Sequence, residues 1–591
     1  MGRLRLLVPP LLLLAWIVLV SGQPAPRAVV LAEDALPTVG VSVVEAQASP
    51  GSLEELRARI EAVLDREGIP GVGLALVDRD GVRWAGGVGV VDADSQAPVT
   101  ADTVFRVASI TKSIVGLGVA RLVGQGRLSL DEPLSQRLPT LRIDNPWADE
   151  APVTLAHVLE HTAGLDDMRF NETFTDDERM TPAQALALNP RSRAVRWRPG
   201  SRMSYSNVGY TVAALAIERA TVEPFDAWLR QQVLEPLGMG QASFALTDER
   251  RARLATGYTA PGRAARFTPI AHRPSGALLA TPAELGRLVH FWLRRGEGYP
   301  SLVPPRLLDR IERADTVDVP PTDLAYGLGN YGDVAHPARA RGHDGGLPGF
   351  LSSYRYFPEL GVGYVMLLNG SFSPAAYVEI RGLLFAHLTQ GMPMPEPPRI
   401  EPDPERGADA GYYGFTSPRL ALLGFIEEAI VGWGLHPSPR GVWVTPLAGA
   451  SVELVPTGAG GYRHPQQSGT SLRMGRDRDG ERIMTLGWAR AEPRSQLAAT
   501  LRLWFLGTAV MLLQVAPLLG VLWLVVRLAR RRGLHGAGLW LWPAVAGLSL
   551  LAIPWLLAEG WAREALGRVD PTTVGLCGAT LVLALASACG F

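Results

Sequence analysis

The sequence predicts an α+β protein: an antiparallel sheet flanked by helices, with a mostly helical inserted region, followed by a small β domain and three transmembrane helices. Three observations carry this reading. A helix-plus-hairpin pattern near residues 52–88 recurs in reverse between 350 and 390. Short apolar segments alternate with Gly, Pro and Ser between Gly411 and Ala489. The chain closes on three long apolar runs. One sheet built from both ends of a domain, with helices packed on it, is an α+β arrangement.

Ser52 opens the first helix, with Glu55 three residues on as a capping box. Leu53, Leu56, Ile60, Val63 and Leu64 recur at helical spacing until Gly68. Gly71–Val77 and Val82–Val88 follow as a hairpin around Asp78-Arg79-Asp80-Gly81. The mirror pattern is Leu351–Phe357 and Val362–Leu368, joined by Pro358-Glu359-Leu360-Gly361, with a helix at Ala375–Leu388. These bound a domain over 51–392. A stiff linker with six prolines spans 393–404, and the small β domain covers 405–492.

Arg3, Arg5 and the apolar stretch Leu6–Val20 predict a signal peptide, or an uncleaved anchor, over 1–22, followed by a linker over 23–50. Leu503–Val526, Leu539–Ala558 and Val574–Phe591 are expected to span a bilayer within 503–591. Arg527, Arg530, Arg531 and Arg532 lie between the first two runs. The excess of basic residues assigns that loop to the cytoplasm and 23–500 to the outside, in agreement with the leader. A multi-pass cell-membrane protein with its main domain on the extracytoplasmic side is expected.

The 57 basic and 57 acidic residues cancel, so no global field exists to attract nucleic acid. The two cysteines, Cys577 and Cys589, both lie in the last apolar run, which excludes a disulfide scaffold and a Cys-based zinc module. Nothing calls for a cofactor. One count stands out: 56 of the basic residues are Arg and one is Lys, Lys112. A buried ammonium can lose its proton and act as a base, whereas a guanidinium stays charged.

Ser109 lies three residues before Lys112, so a helix starting there sets both on one face. The pair has the makings of a nucleophile and its base, and a helix N-terminus supplies N–H groups for an oxyanion. Tyr205-Ser206-Asn207 follows a Pro-Gly turn and precedes a helical stretch at Val212–Ala220; a phenol beside an ammonium can share its proton, and an Asn can hold an amide. His343-Asp344-Gly345-Gly346 comes before the Leu351 strand, and its glycines let a substrate backbone approach a strand edge. Each motif alone also fits a harmless cap, core or turn.

In this order the three motifs resemble those of the serine β-lactamase and penicillin-binding-protein superfamily, in particular its class C branch of β-lactamases, esterases and D-amino-acid peptidases. Thr154-Leu155 through His161-Thr162-Ala163-Gly164-Leu165, Glu235-Pro236-Leu237-Gly238-Met239 and Phe357-Pro358 through Asn369 look similar too. The resemblance implies that Ser109 is acylated, Lys112 and Tyr205 share proton transfer, and Asn207 orients the acyl amide. It further implies that the N–H groups of Ser109 and Gly346 form an oxyanion hole, with His343 and Gly345 along the substrate. His343 replaces the lysine that holds a penicillin carboxylate in many members, which weakens anionic β-lactam binding unless Arg341 compensates.

The expected activity is therefore acyl transfer on D-amino-acid peptides, cell-wall fragments, β-lactams or small esters. The rival is a silent module of the same fold that binds peptidoglycan or a partner. A third reading takes His157-Val158-Leu159-Glu160-His161 as the zinc-protease pattern His-x-x-Glu-His. In the resemblance no metal is bound there, and His161 is expected to be a buried, hydrogen-bonded residue below the site.

Overall fold

In the computed structural model the described residues are 49–590, less 300–301, 319–320, 397–399, 401–406, 408, 448 and 531–537. The leader, residues 23–48, part of the Pro-rich linker, and Arg531 and Arg532 of the basic loop lie outside them.

Six antiparallel strands form the main sheet in the order β2-β1-β6-β5-β4-β3. They are β1 (Gly71–Asp78), β2 (Gly81–Gly89), β3 (Tyr331–Asp333), β4 (Ala340–Leu347), β5 (Phe350–Phe357) and β6 (Val362–Leu368). Val72 pairs with Leu368 and Asp78 with Val362, so the two ends of the domain meet in the middle of the sheet. Both faces are covered, which is why β1 and β6 read as near-continuous apolar runs rather than alternating ones, while the equally buried β5 carries Ser352, Ser353 and Arg355. Val72, Leu74, Leu76, Tyr364, Met366 and Leu368 pack against helices α1 (Leu53–Glu67) and α7 (Pro374–Leu388). Ala75, Val77, Val365 and Leu367 join the core of the helical region between β2 and β3.

That region contains α2 (Thr111–Gly124), α3 (Leu155–Leu159), α4 (Asn207–Thr221), the one-turn α5 (Arg273–Gly276) and α6 (Pro282–Leu293). Helix α2 is buried almost all round, as its small and apolar residues allow. Helix α1 departs slightly from expectation at its start: Ser52 Oγ caps Glu55 N, but the Glu55 carboxylate accepts from Gly51 N at 2.7 Å, one residue before the cap. Gly68 closes the helix in the left-handed conformation.

The small β domain is a closed antiparallel barrel of eight strands: β7 (Gly411–Phe415), β8 (Gly432–Pro437), β9 (Val442–Pro446), β10 (Val452–Gly458), β11 (Gly461–Arg463), β12 (Leu472–Arg476), β13 (Arg482–Leu486) and β14 (Ala489–Arg494). β7 pairs with β14, which leaves no open edge. Tyr413, Trp433, Leu435, Val444, Leu454 and Leu486 are among the residues that fill it.

The unit from Ser495 onward contains α8 (Gln496–Ala529), α9 (Gly538–Ala562) and α10 (Pro571–Gly590). All three are long and apolar enough to cross a membrane, and each extends beyond the apolar run that predicted it. The extra residues of α8 begin with a Ser495 cap, whose hydroxyl accepts from Ala498 N.

Candidate active site

The site starts at a strained turn. Ala108, a residue with a Cβ, has φ +48, and Ala108–Ile110 forms one turn of 3₁₀ helix before α2. Such a backbone persists only where its surroundings hold it. Here Thr111 Oγ1 donates to Ala108 O at 2.6 Å and accepts from Leu278 N at 3.1 Å, while Ser352 Oγ on β5 donates to Val107 O at 2.8 Å. The turn brings Ser109, which remains partly exposed, above the fully buried Lys112.

Lys112 Nζ lies 3.1 Å from Ser109 Oγ and donates to Asn207 Oδ1 at 2.8 Å and to the carbonyl of Ser275 in α5 at 2.7 Å. The last two oxygens can only accept. An amine in this place spends two N–H bonds on them and faces the serine hydroxyl with what remains, a proton or a lone pair. The rings of Tyr205 and Tyr210 line the same crevice, with Nζ 4.9 and 5.5 Å from their centroids.

Tyr205 and Asn207 reach the site together because Asn207 is the first residue of α4. The helix begins five residues before the expected Val212, with Ser206 as its cap residue. Asn207 is held from below: Asp167 Oδ1 accepts its main-chain N–H at 2.7 Å and Oδ2 its side-chain N–H at 3.2 Å. That contact leaves the Asn207 carbonyl oxygen for Lys112.

His343, Gly345 and Gly346 lie within strand β4, not in a turn before the next strand; the turn is Pro348-Gly349. β3 pairs only with Ala340, Arg341 and Gly342, so among the described residues no strand pairs with that edge of β4 from His343 to Leu347. Gly345 packs directly on the nucleophile turn. A Cβ there would sit 2.3 Å from Val107 O and 2.4 Å from Ser352 Oγ, so no other residue fits.

His343 is buried, and its Nδ1 lies 2.6 Å from Asp344 O, its Nε2 2.7 Å from Tyr326 OH. The carbonyl can only accept, so Nδ1 carries the proton and Nε2 accepts from the phenol. Burial, then the charge of Lys112, push its pKa down to about 3. His343 is thus neutral rather than partly charged near pH 7. The Arg341 guanidinium donates to the main-chain carbonyl of Glu312.

His161 is buried and accepts the N–H of Ser206 at 3.0 Å. Its ring packs 4.2 Å from that of Tyr205 and 4.5 Å from that of Tyr326. The His-x-x-Glu-His zinc reading fails on geometry. Helix α3 ends at Leu159, and His161 has φ +60, so the two histidines share no helical face. His157 caps α3 through Thr154, and Glu160 accepts the N–H groups of Asp315 and Thr316.

Four contributors were not singled out in the sequence: Ser275, Asp167, Tyr326 and Arg419. The acidic pair Asp166-Asp167 shortly after the His161–Leu165 segment was a usable signal for one of them. Arg419 comes from the barrel, just after β7. Its Nε donates to Asp167 Oδ2 at 2.7 Å, and its guanidinium lies 4.8 Å from the centroid of the Tyr205 ring.

Residues 56–388, more than half of the chain, match the family model described as Beta-lactamase. The chain belongs to the beta-lactamase family. Among curated relatives of this beta-lactamase-family chain, a human protein called "Putative beta-lactamase-like 1" is 29% identical over 388 residues, which is 62% of this chain and 74% of the human one. "Esterase EstB" of Burkholderia gladioli is 29% identical over 358 residues, 54% of this chain and 91% of EstB. Among solved structures, a D-amino acid amidase from Ochrobactrum anthropi SV3 aligns with TM-score 0.47 at 24% identity, over 56% of this chain and 98% of the amidase. The family consists mostly of serine hydrolases.

Proposed function

We propose that the protein is a membrane-anchored serine hydrolase that works through an acyl-enzyme on Ser109, with its catalytic domain on the extracytoplasmic side. The observation that carries this reading is Lys112 Nζ, fully buried, 3.1 Å from Ser109 Oγ and pinned by two acceptor-only oxygens. Lys112, helped by the Tyr205 phenol, takes the hydroxyl proton as Oγ attacks the substrate carbonyl. The proton passes to the leaving group, and water then hydrolyses the ester on Ser109 by the same route in reverse. The main-chain N–H groups of Ser109 and Gly346 hold the oxyanion. Asn207 orients the acyl amide, and the substrate backbone lies along the β4 edge at His343 and Gly345.

The electrostatics favour neutral substrates. With His343 uncharged, the third motif lacks the cation that a free carboxylate would meet there. Small esters and amides of D-amino acids fit this better than anionic β-lactams, in line with an esterase among the relatives. The leader, the loop charge and the three apolar helices support anchoring and sidedness.

The test uses the full chain in detergent. A fluorophosphonate probe is expected to label the wild type and spare Ser109→Ala, and p-nitrophenyl esters and D-alanyl anilides are expected to turn over faster than a chromogenic cephalosporin. Equal labelling of both proteins rejects the acyl-enzyme. Labelling with no turnover of any substrate favours the silent binding module.

A further inference from the structure

We propose that the barrel completes the active site: Arg419 is a positioning residue that acts through Asp167 to hold the Asn207 amide against Lys112. The catalytic consequence rests on the serine hydrolase reading above; the physical link does not.

The chain of contacts is continuous from one domain to the other. Arg419 Nε donates to Asp167 Oδ2, Asp167 accepts the main-chain N–H and one side-chain N–H of Asn207, and Asn207 Oδ1 accepts from Lys112 Nζ. The turn that carries Arg419 is seated behind the Tyr205-Ser206-Asn207 segment. Arg196 donates to the carbonyls of Pro418 and Arg419 at 2.8 and 3.2 Å, Ser204 Oγ donates to Pro418 O at 3.1 Å, and Ala421 N donates to Asp166 Oδ1 at 2.8 Å. The Asp167 side chain is only 3% exposed. A carboxylate so buried needs a charged partner, and Arg419 Nε meets it at 2.7 Å. The barrel supplies that partner.

Pairing also decides what Arg419 is not. Its charge is matched by Asp167 at 2.7 Å, so it is a poor receptor for a substrate carboxylate despite its place over Tyr205. Its effect falls instead on geometry and on the field at the lysine. Lys112 is faced by Tyr205 and Tyr210, by His161 and His343, and beyond Asn207 by Asp167 and Arg419. Removing the positive member of the outer pair must make the amine hold its proton more tightly. Removing the negative member must do the reverse.

The sole lysine makes this directly measurable. The full chain labelled with carbon-13 at lysine Cε gives one lysine resonance, whose titration is followed in detergent micelles whether or not a substrate is known. Arg419→Gln is expected to move the midpoint up and Asp167→Asn to move it down, each by roughly half a pH unit or more, and the double variant to return toward wild type. Midpoints that stay put in both single variants, or move the same way, overturn the proposal. On an ester substrate, Arg419→Gln is expected to lower kcat about ten-fold or more with KM little changed, because a misplaced amide spoils attack geometry and not binding. An unchanged kcat in that variant also overturns it. If the wild type acylates nothing while the titrations behave as stated, the serine hydrolase reading fails and the link stands.

Discussion

Two buried ion clusters in this molecule look alike and do different things. One is Asp167 with Arg419, at the site; the other is Asp333 with Arg355 and Arg381, where β3 meets the sheet and α7. Both put a guanidinium nitrogen within 2.7 Å of a carboxylate that is almost wholly covered. Burial alone would raise the pKa of Asp333, but Arg381 and Arg355 outweigh it and hold that carboxyl well below the usual range. Arg355 also pairs with Asp344 on β4, so the difference lies in the second oxygen of each carboxylate. The free arm of Asp333 accepts the N–H of Ala335 and so closes a turn. The other arm of Asp167 accepts the main chain of Asn207, one hydrogen bond from Lys112. Burial and pairing therefore do not distinguish a functional carboxylate from a structural one; the next atom along does.

That contrast can be broken by mutation. The largest effect is expected at the reacting pair itself: Lys112→Arg keeps a positive charge but loses a removable proton, so ester turnover should fall about 10²–10⁴-fold. Steady-state kinetics of the folded variant check this, and near-wild-type turnover would remove Lys112 from the role of base. On the structural side, Asp333→Asn leaves Arg355 and Arg381 without their shared carboxylate and should cost about 3–5 kcal/mol in denaturant unfolding. The surviving folded molecules should keep their kcat. A stable Asp333→Asn protein with damaged turnover would erase the distinction between the two clusters.

A finer prediction concerns acid. His336 is buried, stacks 4.4 Å from Phe385, and is pushed down to about 3 by burial and then by Arg381. His343 shares that low value and likewise stays neutral in the folded state. Both groups bind protons in the unfolded chain at higher pH than in the folded one. The stability they contribute is therefore complete above about pH 6.5 and is lost as pH falls toward 3. His336→Phe should flatten that slope, as read from thermal unfolding across pH, while leaving turnover unchanged. An identical slope in the variant would mean that His336 is not a buried neutral group.

Legibility followed distance along the chain. Ser109 and Lys112 are three residues apart, and a solitary lysine draws notice in any count. The two hairpins, β1 with β2 and β5 with β6, are legible because each is a pair of short segments joined by a tight turn. The sequence places the helical stretch after Tyr205-Ser206-Asn207, at Val212, whereas the helix starts at Asn207, whose main-chain N–H is accepted by the distant Asp167. The glycines after His343 suit a strand edge and a turn equally, because the close packing of Gly345 against Val107 and Ser352 on other elements is invisible locally. Arg419 was out of reach altogether. It is one of 56 arginines and lies 252 residues from its partner, so no local pattern could connect them.

The most direct test of the account is a rapid-quench experiment with an activated ester, followed by intact-mass measurement and peptide mapping. The account predicts a transient mass increase equal to the acyl group, located on Ser109, absent in Ser109→Ala and slow to form in Lys112→Arg. An adduct on another residue, or substrate consumption by the wild type with no adduct while Ser109→Ala reacts equally fast, would contradict it.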